Sequence, residues 1–402
     1  MSAGSRPGTS RWIRYGAIGI AAIAAAGYVA FDLLRGDPWT DVRATLSLEE
    51  TLGGDAAGHA RAFEPRTFVF PRDHRAHAEF RNDWWYLTGN LESDDGRRFG
   101  YQLTLFRTAL APDSPERESA WATRQAWMAH FALTDVEAGR YHAFERFARG
   151  AIGLAGSDST PFRVWVENWS IEAGGSSFLP LRVRAQQDDI AIDLVLREGK
   201  PLVLNGDDGL SRKGEQPGNA SYYYSFTRLP STGTVTVDSQ HHDVSGASWI
   251  DREWSTSALA PGVSGWDWFA LQFDDSTELM VYRLRRDDGS TDPFSAGTFV
   301  DADARTVHLD ARDFTIDATA QWSSPVDAAR YPARWTLRVP SLDLSLDVAP
   351  VVGDQEHTAS FRYWEGAVDA TGSRAGNDVR ARGYVELTGY AGAGASRSGT
   401  NR

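Results

Sequence analysis

Two strings carry the residue types that could do chemistry: Ser248-Trp249-Ile250-Asp251-Arg252-Glu253-Trp254 and Gly265-Trp266-Asp267-Trp268-Phe269. Four tryptophans and three carboxylates fall within the span 249–268. Indole rings favour burial, whereas a carboxylate resists it unless it is paired or hydrogen-bonded. A segment rich in both is either a salt-bridged edge of a core or the wall of a pocket. In a water-poor aromatic pocket a carboxyl group shifts towards its neutral form and becomes a proton donor near neutrality. Asp251, between Trp249 and Trp254, is the candidate acid. A cation formed by protonating an alkene needs π faces nearby, worth about 2 kcal/mol or more when desolvated. Tyr222, Tyr224, Trp249 and Trp266 can supply them, and tyrosine hydroxyls or Asp267 can hold the water that completes the addition. The competing reading is structural: Arg252 or Arg283 pairs with Asp251, keeps it ionised and braces the fold. Strand alternation sets Trp249, Asp251 and Glu253 on one face and Arg252 on the other, so Arg252 is expected to pair elsewhere.

Other constellations are weaker. His74-x-x-His77, near Asp73, Glu79 and Asp83, could suggest a metal site. Without a helix to align the rings the spacing is common, so a hydrogen-bonded loop and no metal are expected. His241-His242-Asp243 reads as an exposed turn. The Gly-x-Ser-x-Gly turn of α/β hydrolases is missing; Val244-Ser245-Gly246-Ala247-Ser248 comes nearest and lacks the second glycine. A nucleotide-binding glycine loop is also missing, and no cofactor is expected.

The elements that must position these residues read as β. Beyond Thr67, short aromatic and β-branched runs alternate with polar residues between Gly, Asp, Asn and Pro turns. Trp84–Leu91 and Phe99–Arg107 flank Asp94-Asp95-Gly96 as a hairpin, with Trp84 and Tyr86 on one face facing a cavity and Trp85 on the other. Tyr222–Leu229 and Gly233–Val237 suggest a second hairpin. The number of strands exceeds one barrel, and two β-domains with a ligand site at their junction follow. The boundaries are a tail 1–14, an apolar segment 15–34, a linker 35–63, a first domain 64–248, a second domain 249–392 and a tail 393–402.

Composition narrows the function. The chain has 402 residues and a net charge of −13, with Lys200 and Lys213 its only lysines. That balance argues against nucleic-acid partners, whose phosphates need clustered cations. It has no cysteine, which excludes disulfides, thiolate metal sites and a cysteine nucleophile. Tyr15–Leu34 is apolar apart from Asp32 and just long enough to span a hydrocarbon core. Arg6, Arg11 and Arg14 precede it, which sets the N-terminus in the cytoplasm and the body outside the inner membrane, in the periplasm. The alternative is a cleaved leader and a secreted body, since Ala24-Ala25-Ala26 could serve a peptidase.

Several strings then resemble one family. Phe70-Pro71-Arg72-Asp73-His74, Trp84-Trp85-Tyr86-Leu87-Thr88-Gly89, Tyr222-Tyr223-Tyr224-Ser225, Gly246–Trp254, Gly265–Phe269, Tyr363-Trp364-Glu365-Gly366 and Gly383–Tyr390 occur in the order found in the AttH and carotenoid 1,2-hydratase (CrtC-like) family. The resemblance covers roughly 64–390. It implies an all-β chain of two lipocalin-like barrel or sandwich domains around a cavity for an apolar isoprenoid, polyene or lipid. Activities in the family include cofactor-free addition of water to an isoprenoid double bond, a hydro-lyase reaction. Other members are companions of ABC-type export permeases or secreted hydrolases, and some fungal relatives are similar to pericyclases. In the hydratases a Tyr-x-Asp motif supplies the acid, and here Trp249-Ile250-Asp251 stands in its place. Tyr222-Tyr223-Tyr224 stands where the hydratases have His-x-Trp. The aspartate is kept and the other three positions differ. The AttH-like Asp-His-Glu-Trp reads Asp-Arg-Glu-Trp here, with Arg252 in place of His. The resemblance leaves three functions open: a hydratase working through Asp251, a non-catalytic lipid carrier or export partner, and a secreted hydrolase.

Overall fold

The computed structural model describes residues 57–112, 118–256 and 259–391. Among them there is no α-helix; the elements are strands and two 3₁₀ turns, Arg72–His74 and Pro340–Leu342. No helix among the described residues is long and apolar enough to cross a membrane. The apolar segment 15–34 and the tails 1–14 and 393–402 lie outside the described residues.

The strands form two curled, barrel-like sheets. The first has thirteen strands and the second ten. In the first, Arg140–Arg149, Gln125–Asp135, Arg98–Ala109, Asn82–Ser93, Gln240–Ser255 and Ala220–Val237 are successive neighbours, and shorter strands from Ala155 to Arg212 complete it. In the second, Val263–Phe273 lies between Glu278–Arg286 and Asn377–Leu387, with Arg362–Arg374 beyond. All neighbouring strands in the two sheets are antiparallel.

Aromatic runs that ignore simple in–out alternation now have a reason. Trp84-Trp85-Tyr86-Leu87 lies on a strand with two covered faces. Trp85 and Leu87 enter the core enclosed by the first sheet, with Phe131, Trp169 and Trp254. Tyr86 enters a separate layer between the sheets, with Tyr223, Trp249, Trp268, Met280, Tyr282 and Tyr384. The second sheet encloses its own core around Phe269, Trp335 and Trp364. Polar ties reinforce the contact between the sheets. Arg98 pairs with Asp369 at 2.7 Å, Lys200 and Arg228 both reach Glu278, and His130 Nδ1 meets the Tyr363 hydroxyl at 2.7 Å.

The first hairpin forms as expected, with Gly96 at positive φ in its turn. The second does not. Tyr222–Leu229 and Gly233–Val237 belong to one strand, Ala220–Val237, which continues through an irregularity between Phe226 and Leu229. The extra residues there shift register without reversing the chain, and the reversal comes later, at Asp238-Ser239. The chain passes from the first sheet to the second between Ser255 and Val263, whereas the boundary expected at 248/249 falls inside the strand Gln240–Ser255.

Candidate active site

A cavity of about 120 Å³ lies between the two sheets, with room for a ligand several waters in size. Register explains its wall. Residues directly opposite on antiparallel strands share a face. Trp84 faces Glu253 and Tyr86 faces Asp251 across one strand pair. Tyr223 faces Glu253 and Ser225 faces Asp251 across the next. The second sheet contributes Trp266 opposite Leu284, and Trp268 opposite both Tyr282 and Glu386. Asn82 and Ser255, also a register pair, stand at one end of this ladder and Tyr86 with Asp251 at the other.

Asp251 sits at the inner end, 6% exposed. The Tyr223 hydroxyl donates to its Oδ2 at 2.7 Å, and Trp249 Nε1 donates to Oδ1 at 2.7 Å. The Ser225 hydroxyl donates to the same Oδ1. Among the described residues no guanidinium pairs with it. Arg252 points to the opposite face and pairs with Asp83, and Arg283 pairs with Asp267. Burial pushes the Asp251 carboxyl up to about 7, against the three donors that favour its ionised form and with a small upward push from Glu253.

A second, half-buried acid faces the same space. Glu386 is pushed up to about 7 by burial, opposed by a hydrogen bond from Trp266. Behind it, Glu365 is its cross-strand partner and accepts a hydrogen bond from Tyr86. Burial and then the Glu386 charge hold Glu365 well above the usual carboxylate range. Lys213 Nζ lies 3.3 Å from Glu253 and 4.1 Å from the Tyr282 ring centroid, so a cation on an aromatic face is already built into the wall.

Of the residues expected at the site, Asp251, Trp84, Tyr86 and Trp266 line the cavity. Trp254 borders it, but its ring belongs to the first core, stacked on His77 at 3.8 Å. Trp249 is off the wall and acts on Asp251 through its N–H. Tyr222 and Tyr224 are corrections. They stand opposite Trp254 and Arg252 on the far face of the strand. The Tyr222 hydroxyl donates to the Glu64 carbonyl at 3.0 Å, and the Tyr224 hydroxyl meets His74 Nδ1 at 2.6 Å. Asp267 is likewise corrected: it is buried away from the cavity, bound by Arg283, Arg285 and the Tyr390 hydroxyl. His74 and His77 belong to the buried loop over the first core, where burial and then the Arg252 charge lower His74 to about 3.

Tyr223, Trp268, Tyr282, Lys213 and Glu386 are the wall residues that sequence reasoning missed. Tyr223 follows from the parity that places Asp251, once the register of the two strands is known. Glu386 sits inside one of the family strings and has no local feature that marks it as a wall residue.

Two expected results follow from the hydrogen bonds. Tyr223→Phe removes a donor that favours the ionised carboxylate, so the Asp251 pKa should rise by about one unit. Carbon-13 NMR of labelled aspartate carboxyls, or the infrared carbonyl band, would show it; an unmoved titration would deny that this bond matters. The second concerns stability. The folded chain holds the Asp251 proton to about pH 7, whereas the unfolded chain releases it near 3.8. Between those values the native state binds more protons, so stability falls as pH rises. Asp251→Asn should therefore be more stable than the parent at pH 8, by on the order of a few kcal/mol, and nearly equal to it at pH 4. Thermal unfolding at the two pH values checks this, and a pH-independent difference would contradict it.

The sequence signature of the AttH-like family matches residues 61–390. The chain belongs to that family. This AttH-like chain is similar to an AttH crystal structure from Nitrosomonas europaea, with a TM-score of 0.72 and 32% identity over 82% of this chain and 99% of that one. It shares its fold with kievitone hydratase from Nectria haematococca, at a TM-score of 0.63 and 17% identity, covering 83% of this chain and 96% of that one. Among curated sequences it is 20% identical to a dehydratase, asqC, of Emericella nidulans over 64% of this chain and 75% of that protein. It is also 22% identical to kievitone hydratase of Fusarium solani subsp. phaseoli over 51% of this chain, and the match spans 59% of the hydratase. These similarities are consistent with the two lipocalin-like units that the family strings imply.

Proposed function

We propose that this AttH-like protein binds an apolar ligand between its two sheets and adds water to it, or removes water, by acid catalysis at Asp251 without a cofactor. One observation carries the reading: a buried carboxyl with no guanidinium partner among the described residues, its pKa pushed up to about 7, at the inner end of an aromatic cavity. In the hydration direction the Asp251 O–H breaks and a C–H bond forms at one alkene carbon. The other carbon becomes a cation, faced by Trp84, Tyr86, Trp266 and Trp268. Water then forms the C–O bond, and its surplus proton returns to the Asp251 carboxylate, directly or by way of Glu386, which restores the acid. Dehydration is the same path reversed. A hydratase and a dehydratase among the relatives support this class of reaction.

The ligand class is that of the family, an isoprenoid, polyene or lipid. We further propose that the body works in the periplasm, held to the inner membrane by 15–34. Incubation with lipid extract of the source membrane, followed by mass spectrometry, tests the enzymatic reading through a product heavier or lighter by one water. Stable co-purification of an unaltered lipid, with no product, would instead assign a carrier serving an ABC-type permease.

A further inference from the structure

Val307 and Val326 are exposed on the second sheet's side of the chain, but the most exposed large apolar side chains among the described residues gather in one place. The five most exposed are Phe63, Leu110, Trp121, Phe147 and Ile152, between 51% and 64% exposed. Register places them at one end of the first sheet. Leu110 follows the strand Arg98–Ala109, Trp121 precedes Gln125–Asp135, and Phe147 and Ile152 bracket the end of Arg140–Arg149. The pairs Ala109–Gln125 and Ala126–Arg149 bring these ends together. Phe63 reaches the same end. The backbone at Ala60 accepts a hydrogen bond from Thr256, and a side chain on Gly218 would strike the Phe63 ring.

Two further features meet there. Asn82 pairs with both Thr108 and Ser255, so the end of the cavity formed by Asn82, Ser255 and Leu259 lies at this same edge. The first described residues, from Ala57, also run along it, and Gly58 packs on Pro112. The opposite end of the sheet is different. Its turns carry exposed Asp94, Asp95, Glu137, Asp188, Asp189 and Asp238, which outnumber Arg97 and Arg140. At the apolar end the exposed charges are mixed, Arg124 and Arg149 beside Glu79 and Glu118. A chain of net charge −13 is repelled by an anionic bilayer, and turning its acidic pole away while its apolar pole faces the lipid keeps that repulsion small. Trp121 and the two phenylalanines are residue types that settle at the lipid–water interface.

We infer that this rim, formed by Phe63, Leu110, Trp121, Phe147 and Ile152, is a bilayer-docking surface that sets the mouth of the cavity against the lipid. The inference rests on reading 15–34 as a bilayer segment, and the described chain begins at this edge, at Ala57. It also gives the proposed ligand a route: an apolar molecule enters from the membrane without crossing water.

The absence of cysteine makes the test direct. Trp121→Cys on the apolar rim and Asp238→Cys on the acidic pole are each labelled with bimane in the full chain. The chains are reconstituted into phosphatidylethanolamine–phosphatidylglycerol vesicles, with or without doxyl-labelled acyl chains. Flotation with the vesicles and quenching at 121 several-fold stronger than at 238 are expected. Leu110→Glu combined with Ile152→Glu should reduce the quenching at 121 while the chain still floats. Flotation with equal quenching at both labels overturns the docking surface. So does a label at 121 that is shielded from water but not quenched by doxyl lipid, which would mean that a second copy or another protein covers the rim. Failure to float overturns both the surface and the anchor. The water-exchange chemistry at Asp251 is read separately, by product mass in detergent, so its failure is distinguishable from that of the membrane reading.

Discussion

Asp251→Asn is expected to lower water addition by about 10²–10⁴-fold, the usual contribution of a positioned general acid. The substitution keeps shape and volume. The side-chain oxygen can still accept from Trp249 and Ser225, and the amide can donate to the Tyr223 hydroxyl, so the cavity and its ligand should be retained. Only the acidic proton is lost. KM should change little while kcat falls, the pattern of an interaction made only in the transition state. Glu386→Gln gives the complementary result. If Glu386 takes the surplus proton, the variant should lose a smaller factor, and one limb of the pH–rate profile should move. Equal turnover by parent and Asp251→Asn, measured by product mass, would remove Asp251 from the reaction and leave a binding cavity.

The second large effect is on stability and lies on the opposite face of the sheet, on the neighbouring strand. Asp83 is fully buried and bridges Arg107 and Arg252. Arg252 also stacks 4.1 Å from the Trp85 ring centroid and donates to the carbonyls of Arg75 and Glu253. Arg107 donates to the carbonyls of His77 and Phe80. Burial alone would raise the Asp83 pKa, but Arg107 and Arg252 overcome it and hold the carboxyl well below its usual range. Asp83→Ala leaves two guanidinium groups buried without their shared carboxylate. The expected cost is about 3–5 kcal/mol, the range for breaking a buried pair by removing one partner. Urea unfolding at neutral pH measures it. A loss under about 1 kcal/mol would show that the carbonyls and His77 satisfy both guanidiniums without Asp83.

These two results bear on why the Asp251 site differs from the cluster behind it. Both carboxylates are buried on adjacent strands of one sheet, yet one holds its proton until about pH 7 and the other is ionised well below that. The difference is the face. Asp83 and Arg252 point into the first barrel, where Arg107 also arrives, whereas Asp251 points to the layer between the sheets, where hydroxyl and indole donors meet it. The arginine that follows Asp251 in sequence is therefore irrelevant to its charge, as strand parity alone requires.

Sequence patterns determined much of this protein. Short strands between turn residues specify an all-β body, and the number of strands exceeds one barrel. The hairpin around Asp94-Asp95-Gly96 is legible because turn chemistry and alternation agree locally. The family strings fix membership, and the period of two separates Asp251 from Arg252. What local pattern cannot carry is pairing between distant strands. Register alone decides that Tyr223, not Tyr222 or Tyr224, shares a face with Asp251, since a shift of one residue exchanges the faces. Tertiary contact also decided the fate of the third carboxylate in the tryptophan-rich strings. Asp267 is taken by Arg283 and Arg285, sixteen and eighteen residues downstream. Glu386, more than a hundred residues away in the chain, came to the cavity wall because the second sheet folds its strand against the first. A carboxyl's pKa depends on what lies within a few ångströms, and in a two-sheet protein most of those neighbours come from elsewhere in the chain.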